Sequence, residues 1–553
     1  MLKKLLCLIL AATLLLSLMP AASAQDLPKP SQSISGFTVT AVGTERLIDT
    51  PTVLFTHEKT GGQVLYYATD ATERAFDISF KTPALDNSGL PHVFEHICIS
   101  GSQKYPHANL FFPLANQTYS TFVNAMTSNN MTTYPLASLS EEQLYLMTDY
   151  YLSGVFQPLL YTEPRLVQRE AWRYELTDSD APLRLSGTVY NEMKGALALD
   201  TMSHYNLLDA LFPNSLVSNI SGGDPDHIPE MTQESLLKFH QEYYHPSNAL
   251  VVLYGDLDYA AFLALIDSYF SSFDKKQINV PTGEIAPLQA PVTKTYAYPV
   301  EAGSASQDAA VLSYAFVPQL DSTRDLIGMI LLSDVLSHSA SPLAQAFQMA
   351  FPGAVLSISA NITVPQPYLS FDASGMNASD LDAFRQLVDA ALNRVVAAGL
   401  DSEMVEAVLA AERFSQLTIP EQSNLGVNLA VQQSSVWATT GSLNYFNDYL
   451  DTMDYLKTDA ADHYFEKLIQ YQLLTTQHRA AVATVPTPGL AEQKEQELEA
   501  RLAAVKTAMS AEELQAILAQ TVEIPAWGQE EPPVELIQRL QAVTVSRDRK
   551  SVV

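Results

Sequence analysis

His92-Val93-Phe94-Glu95-His96 places two imidazoles and one carboxylate within five residues, and on a helix positions i, i+3 and i+4 share one face. Two histidines at that spacing can each give a ring nitrogen to one Zn²⁺. The carboxylate between them then stands where it could deprotonate a bound water. Gly89-Leu90-Pro91 upstream provides a turn with a proline near a first helical position, and Gly101 provides a stop, so the pattern predicts a short helix around the motif. On this helix alone a second reading stays open, in which His92 and His96 are ordinary core histidines.

Two histidines underfill a catalytic zinc site, which takes three protein ligands and one open position. Downstream, Gly187-Thr188-Val189-Tyr190-Asn191-Glu192-Met193-Lys194-Gly195 offers Glu192 in a run that passes from β-rich to helical character. The order H-x-x-E-H is the inverzincin signature. Together the two stretches closely resemble the pitrilysin-type zinc metallopeptidases, in particular the branch of the presequence proteases. Gly101-Ser102-Gln103-Lys104-Tyr105-Pro106, Thr121-Phe122-Val123-Asn124-Ala125-Met126-Thr127, Ser221-Gly222-Gly223-Asp224-Pro225 and Tyr244-His245-Pro246-Ser247-Asn248-Ala249 carry the resemblance further. It is specific from near Gly36 to about Asp258 and looser to about Thr521. Position by position it implies His92 and His96 as zinc ligands, Glu192 as the third, Glu95 as general base, one Zn²⁺ per chain and peptide hydrolysis as the reaction. With these matches in register the core-histidine reading is set aside.

The resemblance also implies a fold: α+β, two homologous domains, each a mainly antiparallel sheet layered with helices, followed by a helical hairpin. The first unit, residues 36–275, holds the motif. A proline-containing linker at 277–291 leads to a second unit, 292–485, that repeats the first: residues 309–316 read as a strand and 326–338 as a helix. In this copy Asp334-Val335-Leu336-Ser337-His338 stands where the first has His92 to His96. The first histidine and the glutamate are gone, so this copy is expected to be non-catalytic. Residues 488–520 are rich in Ala, Glu, Lys, Leu and Gln and read as the hairpin, with Ser510 and Glu513 as a capping box for its second arm.

The resemblance implies that residues 521–553 open a further half of similar size, which would supply an arginine and a tyrosine to grip substrate. Asp548 to Val553 match the translation of a common sequencing adapter, so a truncated chain is expected. Either that half or a second chain is then needed to close the chamber.

Alternating side chains at residues 122–127 read as a strand. By resemblance it is a sheet edge on which an extended peptide docks, which puts Phe122, Val123, Asn124, Ala125 and Met126 at the substrate. An internal strand, with Asn124 holding its own loop, is the plainer alternative. Glu170 and Trp172 also fall on family positions, with no chemistry assigned to them. His107, His204, His227, His240 and His245 are read as structural, and Cys98 as a small buried hydrophobe.

Residues 1–24 carry Lys3 and Lys4, an apolar run over 5–18 and Ala22-Ser23-Ala24 before Gln25, the pattern of a cleaved signal peptide. An exported protein, extracellular or periplasmic, is expected. The chain has 31 Lys and Arg against 61 Asp and Glu. That excess argues against nucleic acid and against anionic membranes as partners; it is read first as a source of solubility, and the resemblance adds long-range attraction of basic peptides as a functional reading. A non-catalytic assembly or binding subunit of the same fold is the competing function; the intact His92, Glu95, His96 and Glu192 speak against it.

Overall fold

β-Branched and aromatic residues in alternation build a ten-stranded sheet in the first unit. Its strands are β1 (Ser33–Ile34), β2 (Phe37–Glu45), β3 (Thr50–His57), β4 (Gln63–Tyr67), β5 (Arg74–Lys81), β6 (Ser120–Val123), β7 (Met126–Thr127), β8 (Met131–Thr133), β9 (Leu136–Ser138) and β12 (Ala249–Tyr254), with β10 (Arg173–Glu175) and β11 (Arg184–Ser186) as a separate hairpin. This computed structural model describes residues 27–304, 309–320, 322–458 and 461–542. The expected signal peptide and the residues from Asp548 onward lie outside them.

The order across the sheet is β1-β2-β3-β4-β12-β5. Beyond β5, β8 and β9 pair with its two ends and are flanked by β7 and β6, which close the sheet. β12 runs parallel to β4 and antiparallel to β5. The second unit has a five-stranded sheet of β13 (Val292–Val300), β14 (Ala310–Phe316), β15 (Val355–Asn361), β16 (Tyr368–Met376) and β17 (Arg479–Pro488), in the order β13-β17-β14-β16-β15. Here too the strand last in the chain is inserted second, parallel to β13 and antiparallel to β14, and the remaining pairs are antiparallel. The second sheet therefore repeats the succession β4, β12, β5, β8/β9, β6/β7. The expected duplication is visible as topology.

The two faces of the first sheet have different partners. Val53, Phe55, Val64, Ile78, Phe80, Val251 and Leu253 pack into one core with the helices of the first unit. Leu65, Tyr67, Ala75, Leu250, Val252 and Tyr254 point the other way and join the core of the second unit. Helix Leu425–Thr440 lies on that face, so close that a Cβ on Gly426 would stand 2.5 Å from the Tyr254 ring. A fully buried carboxylate, Asp77 on β5, spans the seam. Its oxygens accept from Ser79 Oγ (2.8 Å), Thr133 Oγ1, the Tyr134 amide (3.2 Å) and, across the units, Ser434 Oγ (3.0 Å). Burial pushes its pKa up, and those four donors work in the opposite direction.

The motif lies in helix Leu90–Ile99. Gly89 caps it with φ 75°, a conformation that suits glycine, and Pro91 occupies the first turn, where no backbone N–H is needed. Cys98, in its last turn, is buried. Helix Glu141–Phe156 crosses behind at Gly154, where a Cβ would stand 2.1 Å from the Cys98 carbonyl oxygen. Gly154→Ala should therefore destabilise the protein by about 1–3 kcal/mol through overpacking, read as a lowered thermal midpoint. An unchanged midpoint would mean that the two helices can separate freely.

The hairpin comprises Leu490–Ala508 and Ala511–Trp527, with Glu513 N donating to Ser510 Oγ (3.2 Å) and Ser510 N to Glu513 Oε2 (2.7 Å). Its second arm runs past the expected residue 520, because Ile524 is buried and Trp527 packs on the first core. The residues that follow turn back onto the first unit. Helix Val534–Arg539 is followed by buried Leu540, whose carbonyl accepts from Gln143 Nε2 at 2.7 Å. Among the described residues no single helix is long and apolar enough to cross a membrane.

Candidate metal centre

Each imidazole of the motif is oriented by a partner on its Nδ1. His92 Nδ1 lies 2.9 Å from the Gly222 carbonyl, which can only accept, so the proton sits on Nδ1 and Nε2 is left with its lone pair. His96 Nδ1 faces Glu170 Oε2 at 3.4 Å with the same result. Glu192 comes from helix Thr188–Ala196, and its Oε2 stands 3.9 Å from His92 Nε2 and 3.7 Å from His96 Nε2. All three donors lie within 4.8 Å of one another, and no other group of three such residues does so among the described residues.

Two imidazole Nε2 atoms and one carboxylate oxygen converging on one point are a donor set for Zn²⁺. Tetrahedral bonds of about 2.0–2.2 Å would need the Glu192 oxygen only a few tenths of an ångström closer to each imidazole nitrogen. The residues fit the ion.

Glu95 does not join that set. It is buried, and its Oε2 accepts from Thr127 Oγ1 at 2.6 Å. Burial raises its pKa, against the pull of His92, Thr127 and His96. Glu170 is buried more deeply, yet its pKa is lowered: the cost of burial is outweighed by the His96 hydrogen bond and by Arg169. His96 is raised, because Glu170, Glu95 and Glu192 more than reverse its own desolvation.

Glu192 is placed by a close approach of two backbones. Its helix starts after Gly187, where a Cβ would meet the Ala171 carbonyl at 2.2 Å, and Thr188 Oγ1 donates to the Arg169 carbonyl at 3.0 Å. The turn at residues 167–171 thus holds the Glu192 helix from its backbone and His96 from the Glu170 side chain.

His92, Glu95, His96 and Glu192 line a cleft of about 510 Å³ together with Asn124, Ala125, Met126 and Thr127. Phe122 and Val123, read with them as substrate residues, do not line it; they pack toward the two cores. The stretch read as one strand is broken. β6 ends at Val123 and β7 begins at Met126, while Asn124 Oδ1 accepts the Ala125 amide at 3.0 Å. Asn124 therefore holds its own loop and also borders the cleft. β6 and β7 are both terminal strands, so the edge beside the cleft is open.

The histidines set aside as structural have local partners. His240 lies between Tyr161 OH (2.8 Å) and the Val155 carbonyl (2.9 Å), and burial lowers its pKa to about 4. His245 accepts from the Ser247 amide, and His227 pairs with Glu230 at the surface. His338 follows helix Thr323–Ser337 in the second unit and accepts the Ala340 amide.

Two family models match the chain and between them cover more than half of it: insulinase (peptidase family M16) over residues 84–200, and the peptidase M16 inactive domain over residues 230–412. The chain belongs to the M16 family of peptidases. Within this family it is of the pitrilysin type, with presequence proteases among its relatives. Presequence protease 1, chloroplastic/mitochondrial, of Arabidopsis thaliana is 30% identical over 504 residues, which are 88% of this chain and 46% of that protein. A protease from Helicobacter pylori superposes with a TM-score of 0.62 at 16% identity, covering 81% of this M16 chain and 99% of the other. Pitrilysin does so with 0.58 at 18%, covering 82% and 47%. At those identities the structures show the shared fold of two homologous domains. The M16 chain spans about half the length of the curated relatives it matches. The insulinase match contains the motif and Glu192; the inactive-domain match covers most of the second sheet, with Asp334 and His338.

Proposed function

We propose that this chain is the metal-bearing half of a zinc-dependent endopeptidase that hydrolyses short, unstructured peptides. The observation that carries the proposal is the convergence of His92, His96 and Glu192 beside a buried Glu95, in a cleft bordered by an open sheet edge. A Zn²⁺ held by the two Nε2 atoms and Glu192 would supply Lewis acidity to the peptide carbonyl and lower the pKa of a bound water to about 7.

The protein's own residues do the rest. Thr127 pins one oxygen of Glu95, and the carboxylate takes a proton from the attacking water and returns it to the leaving amine. An extended peptide pairs with the open edge at β6 and β7 through backbone hydrogen bonds, which tolerate many sequences. Asn124, Ala125 and Met126 border its path.

A second half, in the same polypeptide or in another chain, closes over the cleft in this proposal; the doubled length of the relatives supports it. Export rests on the sequence of residues 1–24, and recovery of protein beginning at Gln25 outside the cytoplasm tests it. The non-catalytic alternative has less support, since the inactive-domain match falls outside the motif.

Purified protein should carry about one zinc and cleave a quenched unstructured peptide. Chelation should abolish cleavage and added Zn²⁺ restore it. The same assay with the second half present, at equal zinc occupancy, should give a higher kcat/KM. Cleavage indifferent to chelation would refute the zinc reading, and equal kcat/KM would refute the closing half.

A further inference from the structure

Trp527, at the end of the second hairpin arm, is far from the motif in sequence and close to its supports in space. Its indole ring stands 4.5 Å from the Arg165 guanidinium and 5.7 Å from that of Arg169, within the range of cation–π attraction. Arg169 Nε meets Glu170 Oε1 at 2.9 Å, and the other oxygen of Glu170 faces His96 Nδ1 at 3.4 Å. A second set of bonds fastens the same place. Arg169 Nη1 donates to Asn109 Oδ1 (2.7 Å), and Asn109 Nδ2 donates to the carbonyls of Glu530 (2.8 Å) and Trp527 (3.4 Å). The Arg169 carbonyl accepts from Thr188 on the Glu192 helix.

We propose that Trp527 is a positioning residue for the metal centre: through Arg169 and its neighbours the hairpin arm sets both His96 and the helix that carries Glu192. The inference rests on the zinc reading above. Arg169 is the junction, because its side chain reaches Glu170 while its backbone reaches Thr188. A flat guanidinium between an indole face and a carboxylate holds orientation as well as charge. Partners one layer outside the ligands tune metal affinity by ten- to a hundredfold, and a displaced hairpin arm would loosen zinc without touching a ligand.

The test uses the whole chain and measures zinc content, the rate of zinc transfer to a chelator and the thermal midpoint of the metal-free protein. Trp527→Ala should release zinc about tenfold faster, and Trp527→Phe, which keeps a ring face, should recover most of the difference. Arg539→Ala is the control. Arg539 lies over the Tyr105 ring at 4.7 Å and fastens the residues after the hairpin through that ring rather than through Arg169, so its loss should leave the release rate unchanged. If Trp527→Ala does not fold, Arg169→Lys carries the test, since it keeps the charge but loses the fork and the flat face; faster release is expected there too. Wild-type release from Trp527→Ala, or from Arg169→Lys in its place, would overturn the inference, as would equal acceleration in Arg539→Ala. A wild-type chain that binds no zinc would instead overturn the zinc reading, and this inference with it.

Discussion

Glu95→Gln should keep about one zinc per chain and lower kcat/KM on a quenched peptide by about 10²- to 10⁴-fold, the range for removal of a general base. The substitution is nearly isosteric, and the amide oxygen can still accept from Thr127, so the cleft keeps its shape. The three converging donors do not include Glu95, so the metal should remain. What is lost is the ability to take a proton. Activity within a few-fold of wild type at matched zinc content would remove Glu95 from the mechanism.

Glu192→Ala and His92→Ala should each abolish stoichiometric zinc and, with it, turnover, measured by elemental analysis after gel filtration and by the same peptide assay. The two should differ in stability. The Glu192 side chain is half-exposed, whereas His92 is mostly buried and donates to the Gly222 carbonyl. Its removal leaves that acceptor without its donor, at a cost of about 1–3 kcal/mol. If Glu192→Ala retains zinc, the third donor lies elsewhere.

The elements carried by local signals were legible in the sequence: the motif helix between Gly89 and Gly101 and the Ser510/Glu513 cap. Each is set by residues a few positions apart. The supports of the site were not legible. Glu170 meets His96 across 74 positions and Thr127 meets Glu95 across 32, and no periodicity announces a pairing made only by the tertiary fold. The break at Asn124 and Ala125 was hidden for a different reason: neither residue is Gly or Pro, so no breaker residue marks it. The end of the hairpin was placed too early because the composition changes at residue 521, while burial of Ile524 keeps the helix going to Trp527.

One face of the first sheet is completed by side chains of the second unit, including the close approach at Gly426 and the Ser434 hydroxyl on Asp77. The apolar surface of the second unit is therefore shaped by the first sheet as well as by its own fold, whatever donor residues it carries. A substitution on that surface of the second unit is thereby also a substitution in the packing of the first sheet.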